Sequence, residues 1–259
     1  MQWMTIFKKE LLGDWRSLKW IWVPLVFILL CIMDPISTYY LPKILESVGG
    51  MPEGTNLEGF ADIPPTDALM MSISELSMFG SLLIAAITMS VIAGERKSGV
   101  AELVLVKPVS YFSYITSKWA AKLLLVFVSY SIGMLASWYY VDLLFGTITA
   151  EEFFSLFLFY LVWLIFVISA AIFYNTIFKR PGIVLAASLG TYVGLSILAQ
   201  VFKNRLPWFP NNISSHIHDM LTFGEIPSDL WIAAGITIGV SIILLIVSNF
   251  TLQKAELAE

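Results

Sequence analysis

Residues 94–118 read GERKSGVAELVLVKPVSYFSYITSK, a charged hairpin between two long apolar stretches. Glu95, Arg96 and Lys97 end the first stretch, Gly99 interrupts the chain, residues 101–106 form a short apolar run, and Pro108 closes it. Lys118 and Lys122 then restart the next stretch. Glycine loosens a backbone and proline removes a donor while fixing φ, so the run between them has room for only a short helix. The pattern predicts a small surface helix, held against a membrane by two spanning helices, where a soluble partner could push on it.

Composition outside the hairpin sets the class. Hydrophobic residues make up 58% of the 259 residues and charged residues 13%, with a mean hydropathy of +0.81. That is far from the balance of a soluble domain. A bilayer core of roughly 30 Å requires about 20 apolar residues per helix. Six stretches qualify, at residues 20–41, 69–93, 119–145, 153–178, 183–202 and 230–250. Alternating ten-residue strands, the mark of a membrane barrel, are absent. The expected fold is an all-α integral membrane protein, one transmembrane domain over residues 1–259.

Lysine and arginine orient it. Lys8, Lys9, Arg16 and Lys19 precede the first stretch, and Arg96, Lys97, Lys107, Lys118 and Lys122 follow the second. With Lys179, Arg180 and Lys254, twelve of the fifteen basic residues fall on one side, against Lys43, Lys203 and Arg205 on the other. The positive-inside bias then puts both termini and the hairpin of this multi-pass membrane protein in the cytoplasm. The net charge of −4 carries little information, because charge is segregated across the bilayer.

Before the first stretch, Trp3, Phe7, Leu11, Trp15 and Leu18 recur at helical spacing, with Lys8, Lys9, Asp14 and Arg16 off that stripe. This fits an amphipathic helix over residues 1–19, lying in the interface as an elbow. A signal peptide fits less well: the apolar stretch is long and no small-residue cleavage site follows. A plain basic anchor is the simpler alternative.

Several chemistries lose support. Cys31 has no partner for a disulfide. His216 and His218 have only Asp219 nearby, too few ligands for a metal. The chain has no HExxH and no GxxxxGK[ST] phosphate loop, so neither a catalytic site nor a bound cofactor is expected. The centres of the last three stretches lack ionisable residues, whereas ion-coupled carriers use midplane carboxylates. Asp34, Glu75, Lys122 and Asp142 fall toward stretch ends, where snorkelling accounts for them. Energy for uphill transport would have to arrive from elsewhere.

On these residues the hairpin resembles that of type-2 ABC exporter permeases. The likeness rests on Glu95, Gly99, Glu102, Leu103, Pro108, Val109, Ser110 and Lys118, and IFKKELLGDWRS is similar to the family's elbow. Lys107 departs from it, because a small or polar residue is commoner before that proline. The resemblance implies a permease subunit of an exporter. Its coupling helix would seat on a separate ABC ATPase subunit that binds the ATP, and a second permease copy or paralogue would complete the unit. It implies contact roles for Glu95, Arg96, Gly99, Glu102, Leu103, Val104 and Pro108, the first two orienting the hairpin and Leu103 with Val104 filling an apolar groove. No nucleic-acid partner is implied. A peptide, drug or lipid-like substrate is compatible. The alternative is a non-transporting scaffold that anchors or regulates a cytoplasmic protein.

Gly182, Ala186, Gly190 and Gly194 recur every four residues in the fifth stretch, and Gly235 and Gly239 repeat the spacing in the sixth. Small residues on one face permit close helix packing in lipid. Packing within the subunit is the commoner use of such a stripe, and contact with a second subunit the other.

Overall fold

The computed structural model describes residues 2–48, 63–101, 110–202 and 206–257. Six helical segments in it are long and apolar enough to cross a membrane: Lys19–Leu45, Pro65–Lys97, Tyr111–Leu144, Ala150–Ile177, Pro181–Val201 and Ser228–Ala255. They are spans one to six below. Among the described residues there is no strand. Every expected stretch is found, with one boundary shifted by its hydrogen bonding. Span three begins at Tyr111, not near residue 119, because Ser110 caps it by accepting from the Ser113 N–H. Consequently Lys118 and Lys122 lie inside the helix rather than at its mouth.

An elbow helix, α1 (Gln2–Arg16), precedes span one. The corner between them is Leu18, a non-glycine residue at φ 57°, held by the Leu18 N–H bonding to the Trp15 carbonyl. The elbow, the hairpin, the span four–five link and the end of span six share one end of the bundle, called the foot here. The opposite end, the crown, carries a short helix, α2 (Ile213–Phe223), between spans five and six. Gly224, at φ 72°, terminates it. Ile213, Ile217, Met220 and Leu221 of α2 are buried against the bundle, so this loop lies into the protein instead of projecting from it.

Spans one and three form the tightest pair, through Gly133. A Cβ there would stand 3.0 Å from the Phe27 carbonyl oxygen and 3.1 Å from the Cys31 sulfur, so only glycine admits this approach. Pro35 lies inside span one and removes the N–H that would bond the Cys31 carbonyl. Ser72 of span two donates to that carbonyl at 2.6 Å and shares a 2.7 Å bond with Ser137 of span three. Freed backbone groups in lipid need such partners, because no water reaches them.

Span two is the irregular one. It runs as a helix Pro65–Glu75, a π-helical turn Leu76–Gly80, a helix Ser81–Thr88, a break over residues 89–92, and a final turn Ala93–Lys97. Span four is the central pillar, opened by a reciprocal capping box between Thr149 and Glu152. Span five packs on it along Val184, Ser188 and Tyr192.

Candidate functional site at the foot of the bundle

The break in span two decides what the foot can do. Where a helix stops, its backbone donors and acceptors lose their partners. Here two other spans supply replacements. Asn175 of span four accepts from the Ile92 and Ala93 N–H groups, both at 3.1 Å, and donates to the Thr88 carbonyl at 3.0 Å. Lys118 of span three donates to the Val91 carbonyl at 3.0 Å. Beyond the break, Arg96 is buried and donates to the Thr176 carbonyl at 2.8 Å. The end of span two that leads into the hairpin is therefore fastened to spans three and four together.

A cluster of charges extends this attachment to the elbow. Lys118 is fully buried and lies 2.6 Å from Glu10 and 3.0 Å from Glu95. One turn further, Lys122 bonds both Asp14 oxygens at 2.5–2.6 Å, and Lys19 adds a third contact to Asp14 at 3.3 Å. Glu95 also accepts from Lys9 and from the Tyr114 hydroxyl, each at 2.5 Å. Burial pushes the Lys9 ammonium pKa down, but the Glu95 hydrogen bond and charge outweigh it, leaving the pKa above the ordinary lysine value. Burying charges is costly unless each has a partner. Lys118 and Lys122 are four residues apart on span three, and Glu10 and Asp14 four apart on the elbow, so two helical faces meet in register.

This corrects two expectations. Snorkelling does not account for Lys122: it is buried and paired. Nor does the apolar stripe alone seat the elbow, whose buried face carries Ile6 and Asp14, with Glu10 between them. Trp15 and Leu18 are exposed, while Trp3 donates to Thr116 of span three at 3.1 Å. The matched acid and base spacings were present in the sequence as a signal, but only the fold reveals that they face each other.

Of the residues expected to meet a partner, Glu95 and Arg96 turn inward and hold the hairpin in place. Gly99 stands at φ 75°, a left-handed conformation that glycine adopts at no steric cost. Glu102, Leu103, Val104 and Pro108 lie outside the described residues. The small residues of span five are clear of the bundle: Gly182, Ala186 and Gly190 are exposed. A Cβ added at Gly182, Gly190 or Gly194 would meet nothing within 4 Å among the described residues. Among the described residues, then, nothing packs on Gly182, Gly190 or Gly194. The stripe lies away from the Val184–Ser188–Tyr192 face that contacts span four. The two histidines diverge, His216 to the Pro207 carbonyl at 2.7 Å and His218 to Asp67 at 3.1 Å.

A chain with six membrane-spanning helices agrees with what comparison with known proteins finds. The family model described as ABC-2 family transporter protein matches residues 4–224. The chain belongs to the ABC-2 transporter family. It is also 29% identical over 222 residues to a Bacillus subtilis (strain 168) protein described as an uncharacterized transmembrane protein, YxlG, covering 86% of each chain. The matched region takes in the elbow, the hairpin and spans one to five. This ABC-2 protein is accordingly a multi-pass membrane component of a transporter.

Proposed function

We propose that this ABC-2 family protein is the permease subunit of an ABC exporter, driven by ATP that a separate ATPase subunit hydrolyses. The observation that carries the reading is the stitched break at the foot of span two. An ATPase that closes on ATP does work on a permease only through an element rigidly tied to the spans. The hairpin leaves span two just beyond the break, where Asn175, Lys118 and Arg96 bind that span to its neighbours. A push on the hairpin would therefore reach spans two, three and four and the elbow at once.

In this reading residues 99–106 form the coupling helix, with Leu103 and Val104 seated in an apolar groove of the ATPase, Glu102 also in contact with it, and Pro108 closing the run. The foot faces the cytoplasm of a plasma membrane, as the distribution of basic residues supports. A second permease copy, or a paralogue, packs on the open stripe of span five, since small residues with nothing above them suit close helix contact in lipid.

The test is co-expression with an ATPase encoded beside this chain, followed by purification through a tag on the permease. Stoichiometric recovery of the ATPase, and loss of nucleotide hydrolysis when it is omitted, are expected. Hydrolysis by the permease alone would refute the reading. Recovery of a non-ATPase regulator in its place would favour the scaffold alternative.

A further inference from the structure

Many hydroxyl groups in the spans follow one habit, and two buried groups that find no partner mark a second site. Ser74, Ser77, Ser129, Ser188, Ser196, Ser241 and Ser248 each donate to the carbonyl four residues back, at 2.7–3.1 Å. Ser81 does not. Its hydroxyl is buried, 2% exposed, and has no hydrogen-bond partner among the described residues. It stands just past the π-helical turn Leu76–Gly80. Such turns displace the regular four-residue ladder and occur often at functional positions. A second unmet group is the indole N–H of Trp163 in span four, 5% exposed and without an acceptor among the described residues.

Both groups border neighbouring spaces that share part of their lining. Trp163 lines a cavity of about 70 Å³, together with Ser77, Tyr160, Tyr192, Ser196 and Asn211. Ser81 lines a groove of about 400 Å³ between spans two and five. Ser77, Tyr192 and Ser196 border both spaces. The groove's walls are otherwise largely apolar, with Met78, Leu189, Val193 and Ile197.

Proton counting in the cavity defines what it can hold. Ser77 spends its hydrogen on the Ile73 carbonyl, so the 3.0 Å bond between Ser77 and Tyr160 takes its hydrogen from the tyrosine. Tyr192 donates to the Val167 carbonyl at 2.7 Å, and Ser196 to the Tyr192 carbonyl. The Trp163 N–H is left as a buried donor seeking an acceptor. An unmade hydrogen bond of this kind costs about 1–3 kcal/mol. Among the described residues no charged one lines either space, so a phosphate, carboxylate or ammonium would find no counter-ion among them and would enter at high desolvation cost.

We infer that the cavity and groove bind an amphiphile with a neutral, oxygen-bearing head group. Its tail lies along Met78, Leu189, Val193 and Ile197, and its head oxygen accepts from Trp163. Ser81 bonds an ester or ether oxygen nearer the tail. This inference rests on the permease reading and assigns that permease a cargo class: neutral amphiphiles in preference to ionic ones.

The test uses the full chain in phosphatidylcholine nanodiscs with ¹⁵N-labelled tryptophan. The Trp163 indole resonance is identified by its loss in Trp163→Phe. Three probes of equal chain length are titrated: monolauroylglycerol, dodecyl phosphate and dodecyltrimethylammonium. Monolauroylglycerol should move the Trp163 resonance downfield in a saturable manner, with an apparent affinity at least tenfold above either charged probe. Ser81→Ala should weaken it about two- to tenfold, the worth of one hydrogen bond. A Trp163 resonance that monolauroylglycerol leaves in place, as a water-filled cavity would, overturns the inference. Equal movement by all three probes overturns it as well. Co-purification of the ATPase, measured on the same preparation, separates this failure from failure of the permease reading.

Discussion

The two ends of this bundle solve the burial of polar groups in opposite ways. At the foot, Lys118, Lys122, Glu10, Asp14 and Glu95 are drawn in as charges and paired across three elements. At the crown, the polar groups lining the cavity between spans two, four and five are hydroxyls, an indole and an amide, with no charge among the described residues there. Buried ion pairs are demanding of geometry and lose much when one member goes. Neutral hydrogen bonds are more forgiving and can be exchanged for those of a ligand. The contrast suits a molecule that receives force at one end and accommodates a guest at the other.

The sharpest way to break the comparison is to remove one charge from the foot. Asp14→Ala leaves Lys122 buried without its main partner and should cost about 3–5 kcal/mol. The measurement is a denaturation midpoint in detergent, together with the amount inserted in membranes. Asp14→Ala combined with Lys122→Met should recover most of that loss. If the single variant were as stable as the parent, the elbow would be held by its apolar contacts, and the two ends would not differ in kind.

Next in size is Asn175→Leu, which strips partners from two N–H groups and a carbonyl at the break in span two. A loss of about 2–4 kcal/mol follows from leaving those groups unmet. It should be accompanied by faster hydrogen exchange at residues 89–93, while exchange in span four stays slow. Unchanged exchange there would mean that the break satisfies itself. Between the ends, Gly133→Val forces apart spans one and three and should cost about 1–3 kcal/mol by overpacking. Thermal unfolding of the purified protein would show it, and an unaltered midpoint would contradict the close approach.

The smallest effect is expected on span five. In its most apolar window 22% of residues are buried, against 67% in span four. Gly190→Val should therefore change the stability of a single subunit by less than about 0.5 kcal/mol. The same change should weaken association of two subunits, read by mass photometry in nanodiscs. A destabilised monomer with intact association would reverse the roles assigned to that face.

Much of this architecture is legible in the residues, and the illegible part has a common cause. Spans announce themselves because bilayer thickness demands long apolar runs, and all six are found. The break after Thr88 does not, because residues 88–93 hold neither glycine nor proline. It is stabilised by Asn175 and Lys118, distant in the chain, and no local propensity encodes that. Lys118 and Lys122 look like interfacial lysines until the elbow's Glu10 and Asp14 are placed opposite them. The stripe Gly182–Ala186–Gly190–Gly194 is visible as a spacing. Its exposure follows from which face of span five Val184, Ser188 and Tyr192 turn to span four. Even so, the tertiary contacts that decide its use are invisible in one helix.

Orientation has its own check, in single cysteines at Ser98 and Thr55 in a chain with Cys31 replaced. An impermeant thiol reagent applied to intact cells should label Thr55→Cys and spare Ser98→Cys. Labelling of Ser98→Cys would invert the bundle and place the ionic foot outside.

The central claim is that force enters through the hairpin, and Leu103→Asp tests it most directly. With membrane-inserted amounts matched to the parent, the ATPase recovered with the permease and the ATP-dependent export or resistance in cells are measured. The account predicts loss of both, because an unpaired charge buried in an apolar groove costs several kcal/mol. It also predicts a partial loss for Glu95→Ala, because Lys118 keeps Glu10 as a partner when that carboxylate is removed. Unchanged recovery and unchanged transport in Leu103→Asp would contradict it.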